Sequence, residues 1–277
     1  MFSSIGFIGT GTMGTAVARA AVKGAQGAPV LLANRTRSKA EAVARELGVQ
    51  TADNETVARE CSLIFLGVKP QMMEQLLSFA KENVGWADPS IMQTYYSAGT
   101  LIALVVTALL TRKIKDVRFI VAYPVICLMP NTPVAVGAGV VQYYGVDATE
   151  EELSDFQNLL SAAGMIDRVN PDRLNAASAV SGCGPAFCAV FIEALADGGV
   201  ACGLPRDKAL AYAAKMVEGT AQLMLENHAH PGQLKDGVCS PGGTTIQGVR
   251  TLEDRGFRSA VIEAVIAAYE KTIALGK

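Results

Sequence analysis

The chain has 277 residues, half of them hydrophobic and 18% charged, a balance that excludes a disordered chain. Its 24 basic and 26 acidic residues nearly cancel, so no field of one sign invites nucleic acid or an anionic membrane. The six cysteines, at 61, 127, 183, 188, 202 and 239, form no CxxC pair, and His228 and His230 lie far from any of their clusters. No metal site is therefore expected, and the thiols read as packing residues of a reducing compartment. The start, MFSSIGFIG, lacks the basic and apolar regions of a secretory signal. The longest apolar run, Leu101 to Leu110, is too short to cross a bilayer. These features predict a cytoplasmic protein without membrane contact.

In chain order, strand-like and helix-like segments alternate through the first half, the signature of a parallel sheet with crossover helices. Ile5 to Ile8 reads as a strand, followed by a helix in which Met13, Ala16, Val17, Ala20 and Ala21 recur at helical spacing. Val30 to Ala33 is the second strand. Ser38 then caps a helix, with Glu41 completing a capping box. Cys61 to Val68, Ile126 to Met129, Val136 to Tyr143 and Met165 to Val169 continue the strand series. Glu150 to Ala163 reads as a helix capped by Thr149, with Glu152 closing the box. After Asn170-Pro171, a helix start, the strand signals stop. Helical patterns cover Pro185 to Cys202, Pro205 to Asn227 and Phe257 to Leu275. The expected domains are thus 1–167, binding a dinucleotide, and 168–277, all-helical. The second is rich in Ala and Gly and too thin to bury its apolar faces alone, which predicts pairing with a second copy.

Gly9-Thr10-Gly11-Thr12-Met13-Gly14 matches GxGxxG after a strand and at a helix start. The first glycine permits the turn, the second admits a pyrophosphate, and the third lets helix and strand pack closely. This is the mark of a Rossmann-type, doubly wound α/β domain. An NAD enzyme places an acid about 20 residues further on. Here Asn34-Arg35-Thr36 stands instead, and Arg35 suits a 2′-phosphate, so NADPH is the expected cofactor, with NADH as the alternative. Val68-Lys69-Pro70, the loop around Ala98, and Asn54 complete the expected cofactor crevice. Lys69 is read as placing its loop rather than as a chemical group.

MPNTP (Met129 to Pro133), SGCGPAF (Ser181 to Phe187), EALADGGVACGLPR (Glu193 to Arg206), HPGQLKDGVCSPGGTTI (His230 to Ile246) and LEDRGFRSAVIEA (Leu252 to Ala264) together resemble pyrroline-5-carboxylate reductase. The resemblance covers nearly the whole chain, and the SPGGTTI block is its most specific part. It implies reduction of 1-pyrroline-5-carboxylate to L-proline with NAD(P)H, the last step of proline biosynthesis. It also implies a homodimer through the helical domain, assembling further into a decamer of five dimers.

A small cyclic imine bearing one carboxylate needs an anion clamp and a group beside its nitrogen. Ser240, Gly242, Gly243, Thr244 and Thr245 offer hydroxyls and free N–H groups at a helix start. By resemblance Gly243 and Thr244 hold the carboxylate, and Thr245 is the catalytic residue beside the ring nitrogen. A hydroxyl is a weak acid, so Thr245 orients the imine or relays a proton. Asn131, Ser181 and Gly182 are expected at the nicotinamide. The stretch from Ile91 to Cys127, with Tyr95 and Tyr96, departs from the family pattern. Two other readings stay open: a hydroxy-acid dehydrogenase of the 6-phosphogluconate dehydrogenase type, and a non-catalytic NADP-binding regulator. The first needs a lysine near the substrate glycines, and the second has no use for SPGGTTI.

Overall fold

The computed structural model describes residues 1–67, 101–105 and 124–275. Eight strands form one sheet: β1 (Ile5–Ile8), β2 (Val30–Ala33), β3 (Gln50–Thr51), β4 (Leu63–Leu66), β5 (Leu101–Val105), β6 (Val125–Pro130), β7 (Gly139–Val146) and β8 (Gly164–Arg168). Their order is β3-β2-β1-β4-β5-β6-β7-β8, parallel except between β6 and β7. The helices of this part are α1 (Thr12–Gly24), α2 (Arg37–Leu47), α3 (Asn54–Glu60), α4 (Glu150–Leu159) and α5 (Leu174–Ser181). The order reverses at β1, which lies between β2 and β4. Doubly wound sheets bind ligands at the carboxyl ends of strands flanking such a switch point.

Apolar strands buried on both faces give this part its core. Phe7 of β1 stacks on its register partner Phe65 of β4 at 4.5 Å between centroids. Phe156 of α4 meets both Phe65, at 6.0 Å, and Tyr143 of β7, at 5.2 Å. Such aromatic pairs add about 0.5–1.5 kcal/mol each beyond simple burial. The ladder therefore ties α4 to strands on either side of β5.

Several elements differ from expectation. Glu150–Leu159 is α-helical with the capping box of Thr149 and Glu152, but the chain then tightens into a 3-10 turn at Ser161–Ala163. Thr36, not Ser38, stands at the N-cap of α2, and Glu41 turns to the Arg37 guanidinium at 2.9 Å instead of closing a box. The strand expected from Val136 starts at Gly139, because Pro133 seeds a 3-10 turn over Thr132–Val136 and Gly137, at φ +76°, ends it. Asp53, just before Asn54, caps α3: its carboxylate accepts the Thr56 N–H at 2.7 Å. Val68 lies outside the described residues, and β4 as described ends at Leu66.

The remaining helices are α6 (Gly184–Ala201), α7 (Arg206–Asn227), α8 (Pro231–Gly237), α9 (Thr244–Asp254) and α10 (Phe257–Leu275). By Cα proximity the chain divides into Met1–Gly182 with the end from Tyr269, and Cys183–Ala268. In the second unit Ala196, Ala209 and Ala213 form the buried cluster, with Ile192 and Val200 against it. Val190, Tyr212, Leu225 and Ile262 are among the large apolar side chains left more than half exposed.

Candidate functional site

Gly9 follows β1 at φ +102°, a left-handed conformation that favours glycine. Gly14, in the first turn of α1, packs so closely on the Gly9 carbonyl that a Cβ has no room. Gly67, just after β4, closes the same contact: a Cβ there would stand 2.6 Å from the Gly9 oxygen and 3.2 Å from the Gly14 Cα. Gly11 differs, since a Cβ on it would meet nothing within 4 Å. Gly9, Gly14 and Gly67 thus bring the strands and the helix together, while Gly11 leaves open space at the N-cap. No side chain caps α1, and Gly11 sits there at φ −74°, ψ −175°. The first N–H groups of α1 have no intrahelical partner, which makes this end an anion site.

The β2 loop is fixed beside it. The Asn34 side chain accepts the Thr10 N–H at 3.3 Å and donates to the Thr36 carbonyl at 3.1 Å. It thereby joins the glycine loop to the start of α2. Arg35, held between Asn34 and Thr36, is exposed and has no ion-pair partner among the described residues. Asn34 and Asn54 line a shallow recess with Asp53 and Glu55. The Thr56 N–H keeps the Asp53 carboxyl below its ordinary range. Thr10 is buried and its hydroxyl finds no partner among the described residues, Met13 packs on the core, and Thr12 opens α1. Val68, Lys69, Pro70 and Ala98, with Tyr95 and Tyr96, lie outside the described residues.

Farther along the sheet, Asn131 follows β6 and is buried. Its side chain accepts the Val140 N–H at 2.9 Å and donates to the Ser181 carbonyl at 3.0 Å. The amide of Asn131 is thus spent on the protein, and what it presents outward is the loop it shapes. Ser181 and Gly182 end α5 there. Sequence reasoning missed Gln142, a buried β7 residue whose amide meets the Ser181 hydroxyl at 2.6 Å. Nothing near it in the sequence signals this pairing, since its partner stands 39 residues away.

In the helical unit, Gly242 turns the chain at φ +71°, and Gly243 is the N-cap of α9. Gly243 has φ −74° and ψ 171°, nearly the dihedrals of Gly11, and α9 likewise lacks a side-chain cap. The Gly243 N–H is taken by the Ser240 carbonyl at 3.0 Å. A Cβ on Gly243 would meet the Ser240 hydroxyl, which would have to turn aside to admit it. Thr244 and Thr245 are exposed in the first turn of α9, and their hydroxyls engage no other group among the described residues. Hydroxyls beside free N–H groups can hold a carboxylate and orient a neighbouring nitrogen. His228 and His230 are exposed; His228 ends α7, and His230 caps α8 by accepting the Gly232 N–H at 3.1 Å. No cluster of metal-ligating side chains occurs among the described residues.

Residues 4–88 match a family model described as NADP oxidoreductase, coenzyme F420-dependent, and residues 171–275 match pyrroline-5-carboxylate reductase dimerisation. The chain is 36% identical, over the whole of both chains, to the pyrroline-5-carboxylate reductases of Synechocystis sp. and of Escherichia coli. The enzyme of Glycine max is 37% identical over 97% of this chain and 94% of its own. Among solved structures, a pyrroline-5-carboxylate reductase from Coxiella burnetii superimposes with a TM-score of 0.83 at 28% identity, covering 99% of each chain. That of Plasmodium falciparum, with NADP bound, gives 0.79 at 26% identity, covering 99% of this chain and 98% of its own. From end to end, then, this chain belongs to the pyrroline-5-carboxylate reductase family.

Proposed function

We propose that the protein reduces 1-pyrroline-5-carboxylate to L-proline with NADPH, the final step of proline biosynthesis. The observation that carries the reading is the uncapped, glycine-started helix α9, whose first turn offers Thr244 and Thr245 in a chain similar throughout to reductases of that name. NADPH supplies a hydride to the C=N carbon when bound. The glycine cradle of Gly9, Gly11 and Gly14 fits its pyrophosphate, since of the three only Gly11 has open space and the first N–H groups of α1 have no side-chain cap among the described residues. Thr10, Thr12 and Met13 complete that loop, Asn34, Arg35 and Thr36 take the 2′-phosphate end, and Asn54 lies at the adenine edge. Val68, Lys69, Pro70 and Ala98 extend the crevice, with Asn131, Ser181 and Gly182 toward the nicotinamide.

Ser240, Gly242, Gly243 and Thr244 hold the substrate carboxylate, and Thr245 orients the imine nitrogen as it gains its proton. Positioning carries most of the rate, because these groups are weak acids. The hydroxy-acid reading would need a lysine in this loop. Lys215 instead pairs with Glu218 at 2.9 Å on the exposed face of α7, and Lys208 is exposed on the same helix. NADPH oxidation that depends on added pyrroline-5-carboxylate, followed by nicotinamide absorbance, tests the assignment. Absence of that dependence refutes it.

The second unit implies assembly. Pro171–Ala201 is long and apolar enough to cross a bilayer by composition, and little of it is buried within the chain. The dimerisation family model covers the same stretch, which favours a second copy as its cover. A homodimer in the cytoplasm, extended to a decamer of five dimers, accommodates this surface without a membrane or nucleic acid.

A further inference from the structure

Gln142 is buried in the middle of β7, flanked by Val141 and Tyr143, which belong to the apolar core. A buried amide must be paired or its desolvation is uncompensated. Its partner is Ser181, 39 residues away: the Gln142 Nε2 donates to the Ser181 hydroxyl at 2.6 Å. That hydroxyl in turn donates to the Ala177 carbonyl at 3.0 Å, inside α5. Asn131 takes the Ser181 carbonyl at 3.0 Å, and the Gly182 N–H closes on the Ser178 carbonyl at 2.8 Å. The last turn of α5 is therefore held from the sheet by two amides, one on the backbone and one on the side chain. Packing alone does not require this, because an apolar residue of similar length would fill the same place in β7 at little cost. What the pair adds is a fixed position and rotation for Ser181 and Gly182, where side-chain networks specify geometry more than they stabilise it.

We infer that Gln142 is a positioning residue for cofactor binding, acting through Ser181 to hold the Ser181–Gly182 turn where it meets the nicotinamide. This rests on the reading above that the turn faces that end of the cofactor. Gln142 touches neither substrate nor cofactor in this account. Its loss loosens one end of the site and leaves the adenosine end, held by the glycine loop and Arg35, as it was.

The test uses the purified full-length protein, with NADPH and adenosine 2′,5′-bisphosphate as probes in equilibrium titrations. Gln142→Met keeps the length and removes the hydrogen bond. It should weaken NADPH about fivefold or more, lower kcat/KM for the imine at least as much, and leave the bisphosphate within about twofold. Ser181→Ala removes the bond from the other side and carries the test should Gln142→Met not fold. Because the two changes break one interaction, the double variant should be no worse than the worse single. Unchanged NADPH affinity in Gln142→Met overturns the proposal. So does equal weakening of NADPH and bisphosphate, which marks a general loosening of the domain, and so do fully additive losses. A wild-type protein that binds NADPH but ignores pyrroline-5-carboxylate sinks the reductase assignment instead, and the two-probe comparison still stands.

Discussion

Gly11→Asp should make the protein more stable and less able to bind its cofactor. Gly11 sits at the N-cap of α1 in extended backbone, at φ −74°, a conformation aspartate adopts readily. A Cβ there meets nothing within 4 Å, so the substitution creates no clash. The aspartate carboxylate can accept an N–H of the first turn that now lacks a capping side chain. Relative to glycine such a cap contributes a few tenths of a kcal/mol, and a negative charge at the helix start adds ~0.3–1 kcal/mol. The sum, about 0.5–1.3 kcal/mol, corresponds to a rise of roughly 1–5 °C in Tm for a protein of this size. The same carboxylate would occupy the N–H groups proposed above for the pyrophosphate and would repel it. Losing one charge-assisted hydrogen bond costs about 1.5–3 kcal/mol, which is roughly a 10- to 150-fold rise in Kd for NADPH. Thermal melting without cofactor and fluorescence titration with NADPH measure the two effects separately. A lower Tm would show that the cap is not open. NADPH affinity within twofold of wild type would show that the pyrophosphate does not meet this helix end.

Arg35→Ala should leave Tm unchanged, because the guanidinium has no partner among the described residues. It should weaken NADPH by ~1–2 kcal/mol, about 5- to 30-fold, and spare NADH; equal weakening of both refutes a phosphate clamp. Thr245→Ala should fold normally and lose about tenfold to a hundredfold in kcat, the worth of one positioned hydrogen bond; an unchanged kcat/KM removes Thr245 from the mechanism. Burial raises the Cys61 and Cys127 thiols to about 12. Their neutral burial favours the fold below the ordinary thiol range, and that contribution is lost as pH rises from there toward about 12. At pH 8.5, iodoacetamide should therefore modify these two only after denaturation, as peptide mapping can show. Sedimentation at low concentration should find no well-folded 29.0 kDa species, given how few side chains the helical unit buries by itself; a stable folded monomer contradicts the pairing.

The parts of the fold legible in the sequence are those set by neighbouring residues. The capping box at Thr149 involves residues three apart, and the structure holds it with a Thr149 N–H to Glu152 carboxylate bond of 2.7 Å. The strands β1, β2 and β6 are short apolar runs bounded by turn residues. β3 has two residues, Gln50 and Thr51, and no apolar pattern to reveal it. β5 lies in an apolar run without internal turn residues, where periodicity does not separate strand from helix. The Ser38 cap fails because α2 starts at Arg37, after Thr36 in extended backbone and without a side-chain capping bond, a start set by the path of the chain after β2. Gln142 could not be read at all. A glutamine in a strand signals a solvent-facing position until its partner, from a helix 39 residues later, is known.

The two glycine loops that the sequence singles out share a physical feature in the structure. A helix away from a ligand gains by satisfying its first N–H groups locally, as α3 does with Asp53 and α4 with Thr149. An uncapped start alone is not diagnostic, since α6 and α7 share it with Cys183 and Pro205 at the cap. What α1 and α9 add is glycine at the N-cap, with nearly equal dihedrals, preceded by a glycine at positive φ. Glycine costs only a few tenths of a kcal/mol relative to a side-chain cap, and at Gly11 it also leaves open space, whereas at Gly243 the Ser240 hydroxyl stands close. A pyrophosphate and a carboxylate make the same demand on a helix start. The chain presents such a glycine start twice, once after a strand of the sheet and once in the helical unit.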